Sequence, residues 1–177
     1  DVEPFRNNLN KDIVLLSIRH QSTIMAYDFK NEKILWMLQG YTSHQHDVDV
    51  LNKDGSVISV FDNNVYRGLS TEVNKVVRIS NLEPLTNNNT PLLIYNKSSN
   101  QQSENKLNIE IENFNGITDI NQKPKTHSNG RSDYYINNNS LFVEETTFGR
   151  SLEYDTNENK LIWQHINRND KTGIYYM

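Results

Sequence analysis

The chain has 177 residues, 18 basic and 22 acidic, a formal net charge of −4 and no cysteine. That length supports one substantial core, and 35% hydrophobic against 23% charged residues describes a polar globular chain. The acidic balance argues against a nucleic-acid partner, the missing cysteines remove disulfides, thiolate chemistry and cysteine-based zinc sites, and no apolar run approaches the ~20 residues of a membrane span.

Short strand-like runs bounded by turn residues follow one another from the start. DIVLLSI (12–18), TIMAYDF (23–29) and KILWML (33–38) are joined by RHQS and KNE. HDVDVLN (46–52) and SVISVFDN (56–63) flank Lys53-Asp54-Gly55, a hairpin turn in which glycine supplies the positive φ. NKVVRIS (74–80), PLLIYN (91–96) and KLNIEIEN (106–113) come next, then SLFVEET (140–146), RSLEYD (150–155) and KLIWQHI (160–166). Asparagine-rich stretches near 81–105 and 121–140 read as solvated loops. No segment carries a 3.6-residue apolar stripe over three turns, so residues 1–177 read as a single all-β unit.

An internal repeat gives that unit an architecture. YDFKNEKILW (27–36) and YDTNENKLIW (154–163) share Tyr-Asp, a polar turn, Lys, two aliphatics and Trp. The two tryptophans lie 163 − 36 = 127 residues apart, which holds three units of about 42 residues, near the period of propeller blades. The expectation is three to four antiparallel four-stranded blades of a β-propeller, incomplete in this chain, with Trp36 and Trp163 packing between blades. Two similar hairpins in an ordinary sandwich would give the same repeat.

The ordered series Arg19-His20-Gln21-Ser22, Tyr27-Asp28, Lys33 to Trp36, Gln45-His46-Asp47, Asp54-Gly55 and Phe61-Asp62-Asn63 resembles the arylsulfotransferase family. LFVEETTFGRSLEYDTNENKLIWQHINR (141–168) is similar to that family's closing blade. The resemblance implies a six-bladed propeller completed by upstream blades or a partner chain, and a periplasmic or secreted location. It also implies transfer of a sulfuryl group from a phenolic sulfate ester to a phenol through a histidine intermediate, with no cofactor and no metal. By the same resemblance His46 is the nucleophile, and Arg19 and His20 sit at the sulfate. The chemistry suits the residue types, since a neutral imidazole can attack sulfur and fixed cationic donors meet the charge gathered on the sulfate oxygens.

Arg67 is a further candidate at the sulfate, and Asn63 a substrate-side group that orients a channel histidine. The chain departs from the family in Trp36-Met37-Leu38-Gln39-Gly40, where relatives often place an arginine after the tryptophan. That departure, with the long polar loops, leaves a non-catalytic binding or assembly module as the competing function. His44 and His46, two apart in a strand-like run, are expected on one face of the sheet, with His44 supporting or loop-exposed. Such a pair can also ligate a metal, but no third ligand is evident. His127 and His165 read as surface or edge positions.

Overall fold

The computed structural model describes residues 2–7, 11–66, 70–71, 73–86, 92–97, 107–127 and 129–167. Its strands are β1 (Val2–Asn7), β2 (Lys11–Ile18), β3 (Thr23–Asp28), β4 (Lys33–Gln39), β5 (His46–Val50), β6 (Ile58–Asp62), β7 (Val65–Tyr66) and β8 (Ser70–Thr71). They continue with β9 (Lys75–Ser80), β10 (Leu93–Asn96), β11 (Asn108–Glu112), β12 (Arg131–Tyr135), β13 (Ser140–Glu145), β14 (Arg150–Asp155) and β15 (Lys160–Ile166). Short 3-10 turns are the only helical elements among the described residues, and no helix is long and apolar enough to cross a membrane. The protein is all-β.

Three meander sheets account for most of it, in the orders β1-β2-β3-β4-β10, β5-β6-β9-β11 and β12-β13-β14-β15. β5 touches both β1 and β12, so the sheets converge on the first strand of each. That arrangement is compatible with propeller blades. The first sheet departs from the expected four antiparallel strands: a fifth, β10, pairs parallel to β4, with Leu93 opposite Trp36. It comes from the connection between β9 and β11 and satisfies the edge that β4 would otherwise leave open.

Four strands were illegible in the sequence pattern: β1 contains Pro4, β7 and β8 are two residues each, and β12 runs through the asparagine-rich stretch read as loop. The Lys53–Gly55 turn is as expected. Gly55 has φ +75, and a Cβ there would stand 2.5 Å from Leu85 Cδ1, so both conformation and packing exclude a side chain.

The second sheet is the middle layer. Ile58 and Val60 of β6 and Val77 and Ile79 of β9 join Ile13, Leu15, Ile24, Trp36 and Leu38 of the first sheet in one core. Phe61 and Val76, on alternate positions, join Leu141, Val143, Leu152 and Tyr154 of the third sheet in another. This explains why β6 is buried at every position, with no polar face to alternate.

The tryptophans part company here. Trp36 is 0% exposed and lies between two sheets as expected, whereas Trp163 is 41% exposed. No described sheet packs on the outer face of β15, so the repeat keeps the residue without the burial. Trp163 instead donates from Nε1 to Glu153 Oε2 at 2.6 Å and rests near Phe142.

Candidate functional site

Antiparallel register collects the chemically interesting turns at one end of the sheets. Ile18, Thr23 and Gln39 are neighbours at the end of the first sheet, and His46, Phe61, Asp62 and Lys75 stand at one end of the second. Hydrogen bonds between turns join the two ends. Gly40 N and His44 N donate to the Ser22 carbonyl and Oγ, and Gln45 Nε2 donates to the Thr23 carbonyl.

Arg19 and His20 occupy a 3-10 turn between β2 and β3, closed by Ser22 in the left-handed region at φ 48. The Arg19 Nη1 and His20 Nε2 atoms are 3.4 Å apart, and Arg19 Nη2 donates to the His127 carbonyl at 3.1 Å. Arg19 Nε is buried and has no hydrogen-bond partner among the described residues. A buried donor of a permanent cation in that state suits an anion as its missing partner.

His44 faces this pair. Its ring lies 6.0 Å from that of His20, edge to face, and its backbone is left-handed at φ 56. The flanking residues lock the turn. Ser43 N donates to Asp62 Oδ1 at 2.8 Å, and Ser43 Oγ donates to the Val65 carbonyl at 2.6 Å. Gln45, fully buried, accepts from Thr42 Oγ1 at 2.9 Å. Burial lowers the His44 pKa from 6.5, with the positive charges of Arg19, His20 and His127 adding to it and Asp62 opposing.

His46 opens β5 opposite Phe61, with its Nε2 buried. The expectation that His44 and His46 share a strand face is corrected. The strand begins only at His46, because the preceding loop folds back onto Ser22 and Thr23. A bulge follows at once: Asp47, at φ 47, is the extra residue between the pairs His46–Phe61 and Val48–Val60.

Asn63 is fully buried and donates from Nδ2 to the Thr126 carbonyl at 3.0 Å, so it holds the loop that carries His127. Arg67 lies outside the described residues. His127 has an exposed side chain, yet its carbonyl meets Arg19 across 108 positions of sequence, a pairing with no local signal. His165 is exposed on β15. Among the described residues no three His, Asp or Glu side chains are grouped as a metal site.

The profile of the arylsulfotransferase (ASST) family matches residues 2–168, which is nearly the whole chain. The chain belongs to the arylsulfotransferase family. No curated protein matches it. The match agrees with the family resemblance read along the sequence.

Proposed function

We propose that this arylsulfotransferase-family chain is a sulfotransferase that moves a sulfuryl group from a phenolic sulfate ester to a phenol by way of His46. Neutral His46 attacks sulfur and expels the phenolate, and the acceptor phenol then removes the group in a second displacement. Arg19 and His20 hold the sulfate oxygens, where charge gathers in each transition state. Asn63 serves the site by fixing the Thr126–His127 segment, and Arg67 is a further candidate for the sulfate.

The observation that carries this reading is the buried Nε of Arg19, without a hydrogen-bond partner among the described residues, beside His20 on the rim where His46 begins its strand. The reading includes a six-bladed propeller, of which the three sheets are blades, completed by other segments or a partner, and a periplasmic or secreted location. The exposed Ile162, Trp163 and Ile166 along β15 favour a second reading, a non-catalytic module that binds along this edge strand.

Incubating full-length protein with 4-nitrophenyl sulfate and phenol tests the proposal. The protein should release nitrophenolate and become transiently heavier by one SO₃ group at His46. His46→Ala should lose both, and His20→Ala should fold but turn over ~10²–10³-fold more slowly. Wild-type inactivity toward several aryl sulfates would overturn it in favour of the binding module, and full activity in His46→Ala would overturn the role of His46.

A further inference from the structure

We infer that His44 is the base that takes the proton from the acceptor phenol, an inference that rests on the sulfuryl-transfer reading above. Two displacements make different demands on protons. A nitrophenolate leaves without help, but an unactivated phenol has a pKa near ~10 and is a poor nucleophile until its proton is removed. The discharge step therefore needs a base distinct from the sulfated histidine and from the groups that hold the sulfate.

The arrangement of the three rim histidines separates these duties. His46 begins β5, and His20 stands 3.4 Å from the Arg19 guanidinium, which makes that pair a donor couple for an anion. His44 is on neither duty. Its ring meets His20 edge-on at 6.0 Å, and Ser43 Oγ lies 3.5 Å from its Nδ1. It is also held in a left-handed backbone at φ 56, a conformation that glycine adopts without strain and histidine does not. Ser22, Asp62 and Val65 fasten the turn on both sides, so the ring is presented by a fixed backbone.

Electrostatics fits the same role. Burial, Arg19, His20 and His127 disfavour the imidazolium, and the Asp62 carboxylate favours it. His44 is therefore neutral near pH 7 and able to accept a proton.

The step balances as follows. A lone pair of neutral His44 takes the phenol proton while the phenol oxygen forms its bond to the sulfur carried on His46. The S–N bond breaks and its electron pair returns to the His46 ring nitrogen, whose other nitrogen keeps its proton throughout. The aryl sulfate leaves, and the His44 imidazolium gives its proton to water.

The test separates the half-reactions on full-length protein. The nitrophenolate burst from 4-nitrophenyl sulfate reports sulfation, and discharge of the sulfated enzyme to phenol reports the second step. His44→Gln should lose ~10²–10³-fold in discharge to phenol, far more than in the burst, with a smaller loss for acidic nitrophenol acceptors. The acidic limb of the discharge pH profile should disappear with it. His44→Gly, which relieves the left-handed backbone, should fold and recover discharge when imidazole is added. Equal losses in burst and discharge, an unchanged pH limb or no imidazole rescue would overturn the role of His44 while leaving sulfuryl transfer standing. A wild-type protein without a burst would overturn both.

Discussion

Asn63 and Asn74 share one acceptor: the Nδ2 atom of each donates to the carbonyl of Thr126 at 3.0 Å. Asn74 also accepts from Thr126 N at 2.5 Å, donates from Nδ2 to the Asn63 carbonyl at 3.0 Å, and its own N–H donates to the Pro124 carbonyl at 2.8 Å. All three residues are buried. This knot fastens the approach to β12 onto the second sheet and carries the His127 carbonyl to Arg19. Asn74→Ala strands the Thr126 N–H and should cost about 1–3 kcal/mol, because an orphaned buried donor loses its full solvation. Thermal melts should show a fall of about 2–4 °C per kcal/mol.

Where the three sheets converge, carboxylates crowd together. Burial pushes Asp47 up to about 6 and Asp49 up to about 7, and raises Glu3 as well. Asp133 adds to the rise in both aspartates; Arg131 and, for Asp47, the Ser132 N–H at 2.6 Å oppose it. The folded values lie above the unfolded value of 3.8, so between about pH 4 and 7 the folded state holds protons that the unfolded chain has released. The contribution of this cluster to stability therefore falls as pH rises through that window. Asp49→Asn should raise the melting temperature near pH 8 and flatten its decline with pH. A wild-type-like slope in that variant would refute the assignment.

Glu145 and Arg150 form a nearly enclosed ion pair, with side chains 1% and 10% exposed. Glu145 Oε1 also accepts from Lys125 N at 2.5 Å, and Arg150 Nη1 donates to the Gln122 carbonyl at 2.8 Å. Burial already raises the Glu145 pKa against the pull of these partners. Arg150→Ala should cost about 3–5 kcal/mol in urea unfolding, since it leaves a buried carboxylate without its cation. Glu145→Gln should cost less, because its amide oxygen still accepts from Lys125.

The two tryptophans should be separable by fluorescence and by mutation. Trp36 is sealed between sheets, so Trp36→Ala should destabilise by about 3–5 kcal/mol and remove the acrylamide-resistant, blue-shifted emission. Trp163→Ala removes the quenchable component and should cost far less in isolated protein. A strong effect at Trp163 in the full-length protein would mean that another segment or chain covers the face of β15.

Sequence determined the elements whose signal is local. β2 to β4, β13 to β15 and the Lys53–Gly55 hairpin follow from alternation and turn residues within a few positions, and the repeat around Trp36 and Trp163 follows from the same pattern. The residue types along Arg19-His20 and Gln45-His46 were equally legible, since they are read directly from the sequence. Tertiary structure decided the rest. β1, interrupted by Pro4, and the polar β12 hold their extended form through pairing with β2 and β13 rather than through pattern. β10 returns to β4 from more than fifty residues away to close a sheet edge. The meeting of His44 with His20, and of Arg19 with the His127 carbonyl, depends on loop hydrogen bonds that no sequence period encodes. Neither did the repeat decide burial, for identical tryptophan positions are buried or exposed according to whether a neighbouring sheet lies over them.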